Sequence, residues 1–307
     1  MSATVAIPVL NGGAALRATL AAVRRQSVEA ELLICDSGST DGSSELAREE
    51  FGARVVRLAS FTHGGARNLL MRESRGERVA LLTQDAEPAT NRWLEQLLEA
   101  VAGDVAIAYG PYIPRPDADP ATRHELEAWF GSLPAGVERL AEGERDSVSP
   151  SALLGRRGFF TDANACVSRA AWAHVPFREQ IPYAEDRALA LDMLRAGYGK
   201  AYVPQAAVLH SHNYSDVEYF RRCFDEWRGL REVYGWVESA SPRHLLRQLR
   251  GELGVVHRSG TSTLPAAARH HLVRLAGALL GSRADRLPPA VRRRCSLERR
   301  SSFEPST

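Results

Sequence analysis

Short apolar runs and segments of helical periodicity take turns through the first half of the chain. Residues 4–9 read as a strand, and residues 14–26 as an amphipathic helix whose Leu16, Leu20 and Val23 share one face. Residues 31–36 predict a second strand, followed by a Ser- and Gly-rich turn into a helix over 43–51. A third strand at 54–58 leads through a loop to a helix at 65–75, and a fourth at 78–83 ends on Gln84-Asp85-Ala86. Each helical segment is long enough to cross back over a sheet. The strands should therefore run mostly parallel and be covered on both faces.

Residues 114–158 are rich in Pro, Gly, Asp and Glu and predict loops around a helix at 121–130. Strand character returns at 158–167 and 201–210, with a helix at 188–196 between them. Residues 216–236 predict an aromatic-rich amphipathic helix capped by Ser215. Beyond Pro242 the chain is Arg-rich, with helical runs at 245–256 and 266–280, and 301–307 reads as disordered. The expected organisation is a body over 1–240, a basic helical appendage over 241–300 and a short tail over 301–307.

Ligands of open α/β sheets collect beyond the carboxyl ends of the strands. Three such ends here are Pro8-Val9-Leu10-Asn11, Asp36-Ser37-Gly38-Ser39 and Gln84-Asp85-Ala86. All carry polar or acidic groups where that architecture puts a pocket, which points to a binding site.

Composition adds limits. A chain of 307 residues, 44% hydrophobic, can close such a core. The formal charge of +2 hides an asymmetry: residues 243–300 hold thirteen Arg against Glu252, Asp285 and Glu298. A basic appendage on an acidic body suits an anionic surface, and the apolar run at 272–280 with Arg292-Arg293-Arg294 suits a peripheral membrane contact. The competing reading is that these helices pack on the body and show solvent an ordinary Arg-rich face. Nucleic acid is not an expected partner, because the aromatic residues lie in the body and not among the basic ones.

Four scattered cysteines form no C-x-x-C and no pairing rhythm, as expected in a reducing compartment. The N-terminus enters a strand with no signal-peptide pattern, and no run reaches the roughly eighteen apolar residues that span a bilayer. A cytoplasmic location, peripheral at the inner face of the membrane, is the expectation. No G-x-G-x-x-G, G-x-x-x-x-G-K-[ST] or G-x-S-x-G pattern stands in the chain, so dinucleotide, P-loop and serine-hydrolase chemistry drop out.

Seven short motifs remain. They are Ile7-Pro8-Val9-Leu10-Asn11, Asp36-Ser37-Gly38-Ser39-Thr40-Asp41-Gly42, Gly65-Ala66-Arg67-Asn68, Thr83-Gln84-Asp85-Ala86, Asp162-Ala163-Asn164-Ala165, Ala184-Glu185-Asp186 and Val208-Leu209-His210-Ser211-His212. In this order they resemble the family 2 (GT-A fold) glycosyltransferases, rhamnosyltransferase-like members in particular; the appendage lies outside the resemblance. The resemblance implies an α/β fold, a GT-A-like doubly wound mixed sheet sandwiched by helices, with the helical C-terminal appendage added. It implies inverting transfer from a UDP- or dTDP-sugar, a deoxyhexose such as rhamnose included, to a hydroxyl of a glycan or lipid-linked glycan. It puts Pro8, Leu10, Asn11, Asp36, Arg67, Gln84 and Asp85 around the donor, with Asp36 accepting from the pyrimidine N–H. Asp162 and Asn164 fall to the donor sugar or the acceptor. Asp186 falls to the general base, and Glu185 to acceptor binding or to holding Asp186.

Glycosyl transfer must stabilise a departing diphosphate and deprotonate an acceptor hydroxyl, and a divalent cation serves the first need. Family members carry Asp-x-Asp where this chain has Thr83-Gln84-Asp85, so the first carboxylate is missing. Asp85 is the expected metal ligand, with His210 second and His212 in reserve. Oxygen ligands suit Mg²⁺ or Mn²⁺, and imidazole moves the preference towards Mn²⁺.

Plainer roles compete at each position. Asp85 also fits a turn after a strand, Asp36 and Asp41 fit turn and cap chemistry, and Glu185 with Asp186 fit the acidic start of a helix. The missing carboxylate leaves a non-catalytic nucleotide-sugar-binding relic open. The sheet alone leaves a nucleotidyltransferase open, although Gly12-Gly13 with Arg17 makes a poor phosphate loop.

Overall fold

The computed structural model describes residues 2–259 and 264–298. Its strands are β1 (Ala3–Val9), β2 (Glu31–Asp36), β3 (Arg54–Arg57), β4 (Arg78–Leu82), β5 (Glu87–Pro88), β6 (Val105–Tyr109), β7 (Tyr112–Ile113), β8 (Gly136–Glu138), β9 (Asn164–Ser168), β10 (Gly199–Tyr202) and β11 (Val208–Leu209). The helices of the body are α1 (Gly13–Arg24), α2 (Ser43–Glu49), α3 (His63–Glu73), α4 (Trp93–Ala100), α5 (Pro120–Gly131), α6 (Glu142–Arg145), α7 (Arg169–His174), α8 (Glu185–Arg195) and α9 (Asp216–Tyr234). Beyond them come α10 (Pro242–Ser259), α11 (Leu264–Gly281) and α12 (Pro289–Cys295).

Alternation along the central strands decides the layering. Val5, Ile7 and Val9 of β1 face one side and Ala6 the other; β2 splits likewise into Leu32 and Ile34 against Leu33 and Cys35. The first face is covered by α1, α2 and α4 through Leu16, Leu20, Ala47, Trp93 and Leu97. The second is covered by α3, α5, α7 and α8 through Leu70, Met71, Phe130, Ala171 and Leu189. Each large aliphatic side chain buried this way contributes about 1.5–3 kcal/mol. The eight-stranded sheet has the order β3-β2-β1-β4-β9-β6-β10-β8. Its strands run parallel except β9, which lies antiparallel between β4 and β6, and β8 at the edge.

Two strand expectations need correction. Of residues 158–167 only those from Asn164 onward join the sheet; the preceding stretch turns, and Asp162 sits in it. The apolar Phe159 and Phe160 that mimic a strand are buried under the second face. The strand expected over 201–210 divides in two. β10 stays in the large sheet, while β11 pairs with β5 and β7 in a separate three-stranded sheet.

Asn164 corrects a site expectation. Its amide oxygen accepts the Trp93 Nε1–H at 2.7 Å, and its nitrogen donates to the carbonyls of Ala206 at 2.8 Å and Pro111 at 3.2 Å. The side chain is wholly enclosed and ties β9 to α4 and to the segments after β6 and β10. It has no surface to offer a sugar or an acceptor.

Beyond Pro242, α11 and α12 pack on α9, and α10 packs on α11. A Cβ on Gly277 would lie 2.7 Å from the Phe220 carbonyl oxygen, and one on Gly281 2.3 Å from that of Phe224, so α11 touches α9 backbone to backbone. Buried Glu238 adds polar fastening: its carboxylate meets His244 Nε2 at 3.0 Å, and its carbonyl accepts from Arg283 at 2.7 Å. Among the described residues no helix is long and apolar enough to cross a membrane. The tail expected to be disordered, 301–307, lies outside the described residues.

Gly281→Ala should wedge α11 away from α9 and lower the unfolding free energy by about 1–3 kcal/mol in a urea titration followed by circular dichroism. Gly131→Ala, whose added methyl meets open space, should leave stability unchanged or slightly higher.

Candidate active site

The small sheet builds the first half of the site. Leu209 of β11 pairs with Glu87 of β5, which brings His210, directly after β11, against Asp85, just before β5. His210 Nδ1 stands 3.6 Å from Asp85 Oδ1, and His212 Nε2 stands 3.2 Å from Asp85 Oδ2. One ligand atom from each of the three lies within 4.8 Å of the others. The His210 ring meets Tyr112 edge-on at 4.8 Å and His212 at 4.9 Å, and His212 stacks on Tyr214 at 5.3 Å. Burial pushes the His210 pKa down more strongly than the Asp85 carboxylate raises it, and His212 adds to the push.

The donor set can be tested for a metal. His210 Nδ1 is buried and finds no hydrogen-bond partner among the described residues. A buried polar atom left that way is costly unless something else fills its place. Two imidazoles and an aspartate so close together suit a divalent ion of the Mn²⁺ kind. The residues fit the group.

The residues that the resemblance assigns to the donor lie at the ends of β1, β2 and β4. Asp36 is buried at the end of β2, and burial raises its pKa. Hydrogen bonds from the Ser39 hydroxyl and N–H, with Ser44, outweigh that and hold the carboxyl below its usual range. Thr83 stands where the family's first carboxylate would, and Gln84 beside it ties the rim together. Its amide oxygen accepts the Leu10 N–H at 2.9 Å and its NH₂ donates to the Leu10 carbonyl at 3.2 Å. Asn11 follows in the left-handed region, φ 50°, with its N–H donated to Ser39 Oγ at 3.0 Å and its Oδ1 accepting the Thr40 N–H at 2.9 Å. Gln84 and Asn11 lace three strand ends into one rim. Pro8 stands in β1 opposite Cys35, and Leu10 is exposed at the rim.

The second half of the site is an acid cluster around one cation. Arg67 of α3 grips Asp162 with two bonds, at 2.8 and 2.9 Å, and donates to the Leu82 carbonyl at 3.3 Å. The two side chains are only 5% and 8% exposed. Sequence placed Arg67 at the donor and Asp162 at a sugar; the structure joins them to each other. Burial works against the guanidinium charge, but Asp162, Glu185 and Asp186 more than restore it and raise its pKa.

Glu185 and Asp186 open α8, entered through Ala184 at φ 67°, a left-handed conformation that costs a non-glycine residue about 1–3 kcal/mol. Gly229 of α9 backs this turn, where a Cβ would lie 2.2 Å from the Tyr183 carbonyl oxygen. Burial, with Asp162 adding to it, pushes Glu185 up to about 8 although Arg67 pulls the other way. Burial likewise pushes Asp186 up to about 8, with Arg187 opposing and Asp162 and Glu185 reinforcing. Asp186 Oδ1 accepts the Arg187 N–H at 2.6 Å, and the Arg187 guanidinium covers the Phe159 ring at 3.9 Å.

Tyr112 joins the halves. Its ring meets His210, and its hydroxyl bonds Thr161, the neighbour of Asp162. Tyr112 and Arg115 escaped the sequence reading. Arg115 donates to the Asp85 carbonyl at 2.6 Å and its N–H donates to Ser211 Oγ at 3.0 Å. The one cue was an Arg between prolines, Pro114-Arg115-Pro116, just past an apolar strand.

A doubly covered mixed sheet, with a donor rim and an acid pair at one edge, is how a GT-A glycosyltransferase is built. The profile described as Glycosyl transferase family 2 matches residues 4–162, and the chain belongs to that family. The O-antigen chain rhamnosyltransferases RfbN of Salmonella typhimurium and WbaN of Salmonella anatum are 31% and 32% identical to it over 231 residues. Those alignments cover 73% of this chain and 71% and 70% of theirs. Among solved structures, the mannosyltransferase PcManGT from Pyrobaculum calidifontis, in complex with GDP-Man and Mn²⁺, shares the fold at a TM-score of 0.56. Its identity is 17%, covering 92% of this chain and 73% of that one.

The raised acids have a consequence for stability. Between their ordinary range and about 8, Glu185 and Asp186 hold protons in the folded chain that the unfolded chain has released. Stability therefore falls as pH rises through that window. The melting temperature should drop between pH 5 and pH 8, and Asp186→Asn should flatten part of that slope and melt higher than wild type at pH 8. An identical slope in the variant would contradict the assignment.

Proposed function

We propose that this glycosyltransferase moves a deoxyhexose, rhamnose foremost, from a dTDP- or UDP-sugar to a hydroxyl of a glycan or lipid-linked glycan, inverting the anomeric centre. The observation that carries the reading is the Asp85–His210–His212 cluster, with Tyr112 reaching from His210 to Thr161, the neighbour of Asp162 in the acid cluster that holds Glu185 and Asp186. Similarity to two rhamnosyltransferases supports the sugar, and a protein of the same fold in complex with Mn²⁺ supports the metal.

Asp36, ionised and fixed by Ser39, accepts the pyrimidine N–H, which favours uracil or thymine. Asp85 with His210 and His212 would hold Mn²⁺, which when bound offsets the charge of the departing diphosphate. Arg115, anchored beside Asp85, brings fixed positive charge to the same rim. Asp186 takes the acceptor proton as the acceptor oxygen attacks the anomeric carbon from the face opposite the diphosphate. The new C–O bond forms as the bond to the diphosphate breaks, so the centre inverts. Desolvation makes the ionised Asp186 a stronger base than an aspartate in water. Asp85 argues against a relic: it keeps the carboxylate beside the two imidazoles, and Gln84 next to it ties Leu10 to the same rim.

On the appendage we infer a peripheral contact with anionic lipid at the inner face of the membrane, in keeping with free cysteines and a cytoplasmic location. Arg293 and Arg294 are exposed on α12 beside an exposed Val291. Each basic residue near such a surface contributes about 1 kcal/mol.

Asp186→Asn should cut transfer from dTDP-rhamnose by about a hundred- to ten-thousand-fold, while titration calorimetry finds dTDP binding unchanged. Equal loss of nucleotide binding would remove the base from the account. Arg293→Gln with Arg294→Gln should lower co-sedimentation with phosphatidylglycerol vesicles, and unchanged sedimentation would end the membrane reading.

A further inference from the structure

The segment after α12 turns back to the body. Asp225 of α9, itself buried, accepts hydrogen bonds from Ser296 Oγ at 3.1 Å and from the Leu297 N–H at 2.8 Å. The next residue, Glu298, puts its carboxylate 3.8 Å from His63 Nε2, and His63 Nδ1 lies 3.9 Å from Glu185 Oε1. One imidazole thus stands between a carboxylate of the acid pair and a carboxylate from the far end of the chain. The same ring meets Phe61 edge-on at 5.0 Å and Tyr183 at 5.8 Å.

None of these groups belongs to the donor rim, which the ends of β1, β2 and β4 build. They gather at Glu185, next to the base, where the acceptor must enter. Their chemistry is also that of a sugar site. Aromatic rings pack on the C–H groups of a pyranose, and carboxyl groups hydrogen-bond its hydroxyls. Phe61 and the side of Tyr183 away from Arg222, which covers that ring at 4.6 Å, are suited to the packing. The imidazole lies between Glu185 and Glu298 and sets the distance between them.

We infer that Phe61, His63, Tyr183, Glu185 and Glu298 form the acceptor-sugar subsite, and that residues 296–298 are its outer wall, seated by Asp225. The inference rests on the transfer reaction proposed above and deepens its acceptor side. His63 is a positioning residue that fixes the spacing of the two carboxylates, and these take the acceptor's hydroxyls. The appendage is therefore part of the enzyme's specificity and not only a packing or membrane element.

The test uses the full chain with dTDP-rhamnose, Mn²⁺ and a panel of octyl glycosides as acceptor probes. Glu298→Ala should raise KM for the octyl glycosides at least fivefold while KM for dTDP-rhamnose stays within twofold, and Glu298→Gln should recover part of the loss. An unchanged acceptor KM, or an equal rise in both KM values, overturns the inference. A second arm needs no turnover: hydrogen exchange by mass spectrometry on Asp225→Asn and Glu298→Ala. Both variants should speed exchange at 61–65 and 183–186 several-fold over wild type, and unchanged exchange there in both overturns the wall. Failure of the parent reading shows separately, as a wild type that neither hydrolyses nor transfers from dTDP-rhamnose.

Discussion

A guanidinium sealed from water must find its counter-charge inside the protein, and Arg67 finds Asp162 at two hydrogen bonds with Glu185 and Asp186 close by. Removing one partner of such a buried pair typically costs about 3–5 kcal/mol, because the other is left charged and unsolvated. Much else hangs on this contact. Arg67 brings α3, which packs on the second face of the sheet, to the loop before β9 and to the Leu82 carbonyl at the end of β4. Two residues beyond Leu82 begin Gln84 and Asp85. The same side chain that steadies the end of β4 supplies the positive field in which the acid pair sits.

Around this cation the carboxyl groups are pushed in opposite directions. Asp36 is buried, yet hydrogen bonds from Ser39 and Ser44 hold its carboxyl below the usual range. Glu185 and Asp186 lack that many donors and crowd each other and Asp162, so they hold protons far above the usual range. Pairs of titratable groups driven apart in this way are how one fold assigns binding and proton transfer to chemically similar side chains. Where the family places a further carboxylate this chain has the neutral Thr83, which adds no charge to a crowded rim, and Gln84 beside it ties Leu10 to the end of β4.

Much of the framework was legible in the sequence because its signals are local. The period of two in β1 and β2, the stripe of Leu16 and Leu20, and the polar strand ends at Asn11, Asp36 and Asp85 can each be read from a few neighbouring residues. What escaped depends on partners distant along the chain. Asn164 looks like a sugar ligand in its motif, and only Trp93 and the Ala206 carbonyl, brought to it by folding, reveal a core amide. Residues 201–210 look like one apolar strand, and the division between two sheets depends on β5 and β7 being present to receive β11. Glu298 carries no motif at all, and it reaches the site because Asp225, in another helix, fixes the two residues before it.

The account turns on a metal held by Asp85, His210 and His212 within reach of a base at Asp186. The most direct measurement is the anomalous scattering of crystals grown with Mn²⁺ and dTDP. A single strong peak bonded to Asp85 and at least one of the two imidazoles, with the diphosphate on it, is the predicted result. A peak elsewhere, or dTDP bound with no metal beside Asp85, would contradict it.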